Sequence, residues 1–231
     1  MKNIDTIFLD AGSTLVHINM PFISTLLKEE GYNVSTEMLT QIEYKTKPFL
    51  DRDDVVKGST DASRWETYFT LILKQAGVTD KNTLSTIFAK IKSYHDKYNI
   101  WDLLLPTVPP LLSRLKKNYM LGIISNSDGK LDKLLIRLDL KKYFDTITDS
   151  YVVGVEKPDR RIFDTALSSA KAKPENSVYV GDLYYIDIVG ARRVGMEGIL
   201  IDPADNHKDK DCLRIKNVEE VESILAKTHV C

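Results

Sequence analysis

Asp10 closes the short apolar run Ile7-Phe8-Leu9 and opens the turn Gly12-Ser13-Thr14. A carboxylate alone at the end of a buried strand is a candidate nucleophile or metal ligand. Three further polar groups follow later apolar runs. Ser125-Asn126 come after one, Lys157 lies in Glu156-Lys157-Pro158-Asp159 after the next, and Asp182 opens a stretch that ends at Asp187. In open α/β sheets ligands bind beyond the carboxyl ends of the strands. Carboxylates, a hydroxyl, an amide and a lysine converging there compose a site for phosphate and a hard cation. Oxygen ligands suit magnesium, and lysine and hydroxyl groups hold phosphate oxygens. The position two residues after Asp10, where a second carboxylate could move protons, is Gly12.

The elements that must position these groups are legible as alternating patterns. Apolar runs at Ile7–Leu9, Tyr119–Ile124, Ser177–Val180 and Gly198–Ile201, with a weaker one at Phe144–Thr148, predict buried parallel strands. Helical spacing falls between the later runs, at Thr107–Lys117, Arg161–Ala170 and Asp187–Val194, the last stopped by Gly195. A final helix is predicted over Val218–Ala226, with Asn217 and Glu220 placed as a capping box. This alternation predicts a Rossmann-like α/β fold around a parallel sheet.

Residues 18–102 carry helical periodicity and no strand pattern. Phe22, Ile23, Leu26 and Leu27 recur at helical spacing, as do Tyr68, Phe69, Ile72 and Leu73, and then Ile87, Ile91 and Tyr94. A structureless loop of that length is improbable in a compact domain. The expectation is an inserted α-helical cap domain at 18–102, placed over the strand ends, with residues 1–17 and 103–231 forming the core.

Whole-chain properties narrow the class. The chain has 231 residues, 43% of them hydrophobic, and a net charge of -1. That supports a sizeable core and gives no electrostatic case for nucleic acid or a membrane surface. No secretory leader or bilayer-spanning stretch is visible, so the expectation is a cytoplasmic protein. Cys212 and Cys231 read as two free thiols. A monomer or homodimer is expected.

Taken together, these residues resemble the haloacid-dehalogenase-like hydrolase superfamily, in the branch with a helical cap after the first strand. Asp10-Ala11-Gly12-Ser13-Thr14-Leu15 is similar to the family's first motif, and Ser125-Asn126 to the second. Lys157-Pro158-Asp159 is similar to the third, and Gly181-Asp182 with Asp187 to the fourth. The resemblance implies a magnesium-dependent phosphatase acting on a small phosphorylated metabolite. Asp10 would attack phosphorus and form an aspartyl-phosphate. Asp10, Asp182 and the Gly12 carbonyl would hold the metal, with Asp187 closing the site directly or through water. Ser125, Ser13 and Asn126 would hold phosphate oxygens, and Lys157 would offset the negative charge around Asp10.

Gly12 departs from the pattern, since phosphatases of the family usually carry an acid/base aspartate there. General acid–base help is worth ~10²–10⁴ in rate. Carbon–halogen cleavage, phosphonoacetaldehyde-hydrolase-like cleavage through a cap lysine (Lys45, Lys47 or Lys57), and a weakened module that binds phosphate ligands or a protein are the alternatives. The Asp182/Asp187 pair counts against dehalogenation, which uses no metal. His17 reads as a solvated hinge residue, Asp51-Arg52-Asp53-Asp54 as a solvated turn, and Arg64, Trp65 and Tyr68 as cap packing.

Overall fold

A computed structural model describes residues 4–228. The chain divides into two units, residues 18–103 and residues 1–17 with 104–231.

The first unit is helical: α1 (Met20–Glu29), α2 (Thr36–Leu50), α3 (Asp53–Lys57), α4 (Asp61–Gln75) and α5 (Lys81–Tyr98). Polar side chains start most of these helices. Asn19, Ser35 and Asp80 accept from the backbone N–H of Phe22, Met38 and Thr83, and Thr60 forms a reciprocal capping box with Ser63. Such caps satisfy donors that the first turn leaves orphaned. The residues at helical spacing turn inward. Ile23, Leu27, Phe69, Ile72, Leu73, Ile87 and Ile91 are fully buried in one cluster, against which Phe22 and Tyr94 pack.

The second unit is a six-stranded, all-parallel sheet. Its strands are β1 (Thr6–Leu9), β2 (Met120–Ser125), β3 (Thr146–Asp149), β4 (Ser177–Gly181), β5 (Glu197–Ile201) and β6 (Leu213–Ile215), in the order β3-β2-β1-β4-β5-β6. The β1, β2 and β4 cores are uniformly buried, as the continuous apolar runs require of strands covered on both faces. The covering helices include α6 (Val108–Leu115), α7 (Leu131–Arg137), α8 (Ser150–Val153), α9 (Arg160–Ala170), α10 (Val189–Arg192) and α11 (Glu220–Thr228). On α9 the residues Ile162, Phe163, Ala166 and Leu167 meet Phe8, Ile124 and Tyr179 of the sheet in one buried cluster.

The strand order reverses between β1 and β4, which is where a doubly wound sheet opens a crevice for ligand. Leu9 is in register with Ile123 of β2 and Val180 of β4. Asp10, Ser125 and Asp182 therefore leave the sheet at neighbouring points along one edge.

Three local details differ from the sequence expectation. The last helix begins at Glu220, after turn bonds from Glu220 N to Asn217 O and Val221 N to Val218 O, so Asn217 precedes the helix by a turn. The helix expected from Asp187 is preceded by a π-helical turn over Tyr184–Ile188. Strand β6 is a three-residue edge strand with one buried residue, too short for a periodic signal.

Gly122 in β2 is required by packing rather than by a turn. A Cβ there would lie 2.6 Å from Phe8 Cδ1 and 2.7 Å from Thr146 Oγ1. Gly122→Ala is expected to destabilise the protein by ~1–3 kcal/mol, the usual cost of overpacking a core. A urea midpoint equal to wild type would refute it.

Candidate active site

Lys157 organises the strand ends. Its ammonium is 3% exposed and donates to Asp10 Oδ1 (2.8 Å), Asp187 Oδ1 (2.8 Å) and the Tyr179 hydroxyl (2.7 Å). An ammonium has three N–H donors, and all three are taken. Burial alone would lower the Lys157 pKa, but Asp10 and Asp187 outweigh it and hold the ammonium above its ordinary value.

Asp10 occupies the turn after β1, where its backbone N–H donates to Val180 O at 2.8 Å. The turn is tight: Leu15 and Val16 donate back to Ala11 O, and Ser13 is held in the left-handed region at φ 57. A non-glycine residue at positive φ costs energy that the surrounding contacts must cover. Gly12 forms an isolated bridge with Val16. It is not among the described glycines at positive φ, so its backbone does not itself demand glycine.

Asp187 is carried by the π-helical turn, an arrangement that inserts one residue into a helical turn and recurs at functional sites. Its carboxylate folds back over the end of β4. Oδ2 accepts from Asp182 N at 3.0 Å and Leu183 N at 2.9 Å, while Oδ1 faces Lys157 and Tyr179. Gly181 makes room for this, because a Cβ there would lie 2.5 Å from the Asp187 carboxyl carbon.

The site is short of positive charge. Asp10, Asp182 and Asp187 are all buried, and each offers an oxygen within 4.8 Å of the others. Lys157 pairs with two of them, Asp10 and Asp187. Burial, opposed by Lys157 and reinforced by Asp187 and Asp182, pushes the Asp10 carboxyl up to about 7. The donor set, all oxygen and excess negative, fits a hard divalent cation. Asp10 Oδ2 accepts no hydrogen bond from the described residues. By contrast, Asp187 has donors on both oxygens.

The groups expected to hold phosphate divide. Ser125, 5% exposed, ends β2 with its hydroxyl only 3.4 Å from Asn126 O, a long contact. Ser13 is likewise buried in the first turn. The Asn126 side chain is committed to the backbone of Lys157: its Oδ1 accepts from Lys157 N at 2.7 Å and its Nδ2 donates to Lys157 O at 3.2 Å. This paired amide clamp ties the β2 end to the lysine loop, whose Lys157–Pro158 peptide is cis.

Tyr179 is a site residue that the sequence pattern concealed. It is fully buried in β4 and donates to Ile124 O at 2.8 Å. Burial, with Asp187 and Asp10 nearby, holds its phenol well above the ordinary tyrosine value. Tyr184 and Tyr185 open the π-helical turn, with Lys210 5.4 Å and 5.6 Å from their ring centroids. In the helical unit, Tyr68 donates to Glu43 and Lys47 pairs with the same carboxylate. Asp51 is buried there, while Arg52, Asp53 and Asp54 pair at the surface.

A parallel doubly wound sheet with buried carboxylates and a buried lysine gathered at its switch point is a ligand-binding architecture. The family description haloacid dehalogenase-like hydrolase matches residues 4–195, and the chain belongs to that family. It is 36% identical over 204 residues to a glyceraldehyde 3-phosphate phosphatase of Pyrococcus furiosus, covering 86% of this chain and 81% of that one. It is 30% identical over 145 residues to the mouse (Mus musculus) haloacid dehalogenase-like hydrolase domain-containing protein 3, covering 63% of this chain and 58% of that protein's length. Among solved structures, the magnesium-bound putative HAD-hydrolase YfnB from Bacillus subtilis shares the fold with a TM-score of 0.71 at 19% identity, over 97% of this chain and 99% of that one. Among the described residues, no helix is long and apolar enough to cross a membrane.

Gly181→Ala provides a test of how Asp187 is held. The added methyl is expected to push the carboxylate off the Asp182 and Leu183 amides. Hydrogen exchange at those two amides then speeds up at least about tenfold, the loss of one charge-assisted hydrogen bond. Unchanged exchange in a folded variant would show that the carboxylate stays where it is.

Proposed function

We propose that this chain is a magnesium-dependent phosphohydrolase acting on small phosphorylated metabolites through an aspartyl-phosphate on Asp10. The clustering of the Asp10, Asp182 and Asp187 carboxylates, two of them paired with the buried Lys157 ammonium, carries this reading. The phosphatase relatives support it and make triose phosphates the first esters to assay.

Asp10, Asp182 and the Gly12 carbonyl would hold the magnesium ion, with Asp187 acting on it indirectly through its hold on the Asp182 backbone. Bound there, magnesium would supply the positive charge that the site lacks and lower the cost of ionising Asp10. Asp10 Oδ2 is the oxygen left open for attack on phosphorus, since Oδ1 is held by Lys157. Lys157 neutralises charge that a dianionic ester would otherwise meet as repulsion. Ser125 and Ser13 would bind phosphate oxygens. Asn126 serves the phosphate indirectly, by holding the Lys157 backbone.

No side chain at position 12 protonates the leaving oxygen or activates the water that cleaves the aspartyl-phosphate. Esters whose leaving groups depart unprotonated are therefore the better substrates.

Assay of a phosphomonoester panel is expected to show phosphate release that requires magnesium. Asp10→Asn should lower kcat at least ~10³-fold, as loss of a covalent nucleophile does. Release from no ester, including those with good leaving groups, would sink the proposal.

Gly12→Asp is expected to raise kcat on esters with poor leaving groups by ~10-fold or more, within the range of general acid–base help. An unchanged rate, with magnesium binding and fold retained, would mean that another group already transfers the proton.

A further inference from the structure

We infer that Tyr179 is a positioning residue, whose hydroxyl oxygen fixes the Lys157 ammonium against the Asp10 nucleophile. Its consequence for turnover rests on the phosphohydrolase reading above, whereas the anchoring itself does not.

The direction of the contacts carries the argument. A phenol has one proton to give. The Ile124 carbonyl lies 2.8 Å from the Tyr179 oxygen, and Asp187 Oδ1 lies 3.3 Å away. The shorter contact takes the proton, so the oxygen turns its lone pairs to Lys157 at 2.7 Å. Ile124 immediately precedes Ser125, so one hydroxyl ties the phosphate-binding strand end to the lysine.

The ring has little freedom. It is fully buried in β4, opposite Phe8 in the sheet register, and packs edge-on against Phe163 of α9 at a centroid distance of 5.4 Å. Phe163 is itself confined, since a Cβ on Gly190 of α10 would lie 2.7 Å from its ring. The hydroxyl is thus placed by the core rather than by the site.

Without it, Lys157 keeps two carboxylate partners and gains an unpaired N–H in a buried pocket. The ammonium is then free to tilt toward either carboxylate. Asp10 no longer has one oxygen held and one presented. Tyr179 does not touch substrate in this arrangement, so its removal acts on turnover more than on binding.

Tyr179→Phe is compared with wild type, Lys157→Met and the double variant. Two results are expected. In the wild-type background, kcat falls about tenfold, the size of one hydrogen bond to a charged group, while KM changes less than about twofold. In urea unfolding, the stability lost to Tyr179→Phe is smaller in the Lys157→Met background, because the pair acts as a unit. A kcat within twofold of wild type overturns the positioning role, as does an equal loss in kcat and affinity. Additive stability losses overturn the anchoring. If the wild type releases phosphate from no ester, the phosphohydrolase reading fails, and the unfolding cycle alone decides whether Tyr179 holds Lys157.

Discussion

One buried ammonium holds this site together. Lys157 spends its three donors on groups from three places in the chain: the turn after β1, the strand β4 and the turn that follows it. Isolated charge in a protein interior is costly, and breaking a buried pair leaves the partner uncompensated. The geometry of Asp10 and Asp187 is therefore coupled to the lysine. The lysine loop is in turn fixed by Asn126 through both polar groups of its peptide backbone. Strand ends that are far apart in sequence become a single polar unit.

That unit gathers buried negative charge. Lys157 pairs with two of the three clustered carboxylates, and burial above all raises the Asp10 carboxyl to about 7. A hard cation would ease this crowding of carboxylates, because its charge is compact and accepts several oxygens at once. Gly181 and the π-helical turn belong to the same requirement. They let Asp187 fold back onto the amides of Asp182 and Leu183, which sets the backbone from which Asp182 projects.

Much of this was legible in the sequence because it is written in continuous apolar runs ended by a polar residue. Asp10, Ser125 and Asp182 follow such runs, and parallel register then places them together without further information. The helical unit was legible for a similar reason, through spacing that puts Ile23, Leu27, Phe69 and Ile72 inward. What stayed hidden are contacts that periodicity does not encode. Tyr179 reads as one more apolar residue of Val178-Tyr179-Val180, and only the fold shows its hydroxyl reaching Lys157. Asn126 lies in the expected motif, but its amide faces the Lys157 backbone. A signal for Tyr179 did exist: a phenol in the middle of a fully buried strand must find a polar partner.

Gly12 separates two tasks that a phosphohydrolase must perform. Charge neutralisation is built from buried groups that constrain one another, from Lys157 through Asp187 to Gly181. Position 12 offers only a backbone, so no side chain there takes part in proton transfer. An aspartate at that position would supply a proton donor, and it would also set a fourth carboxylate beside one ammonium. Glycine removes both the help and the charge. The balance between them turns on the leaving group: an oxygen that departs as a stable anion needs little protonation, and for it the loss of a fourth negative charge is the larger effect.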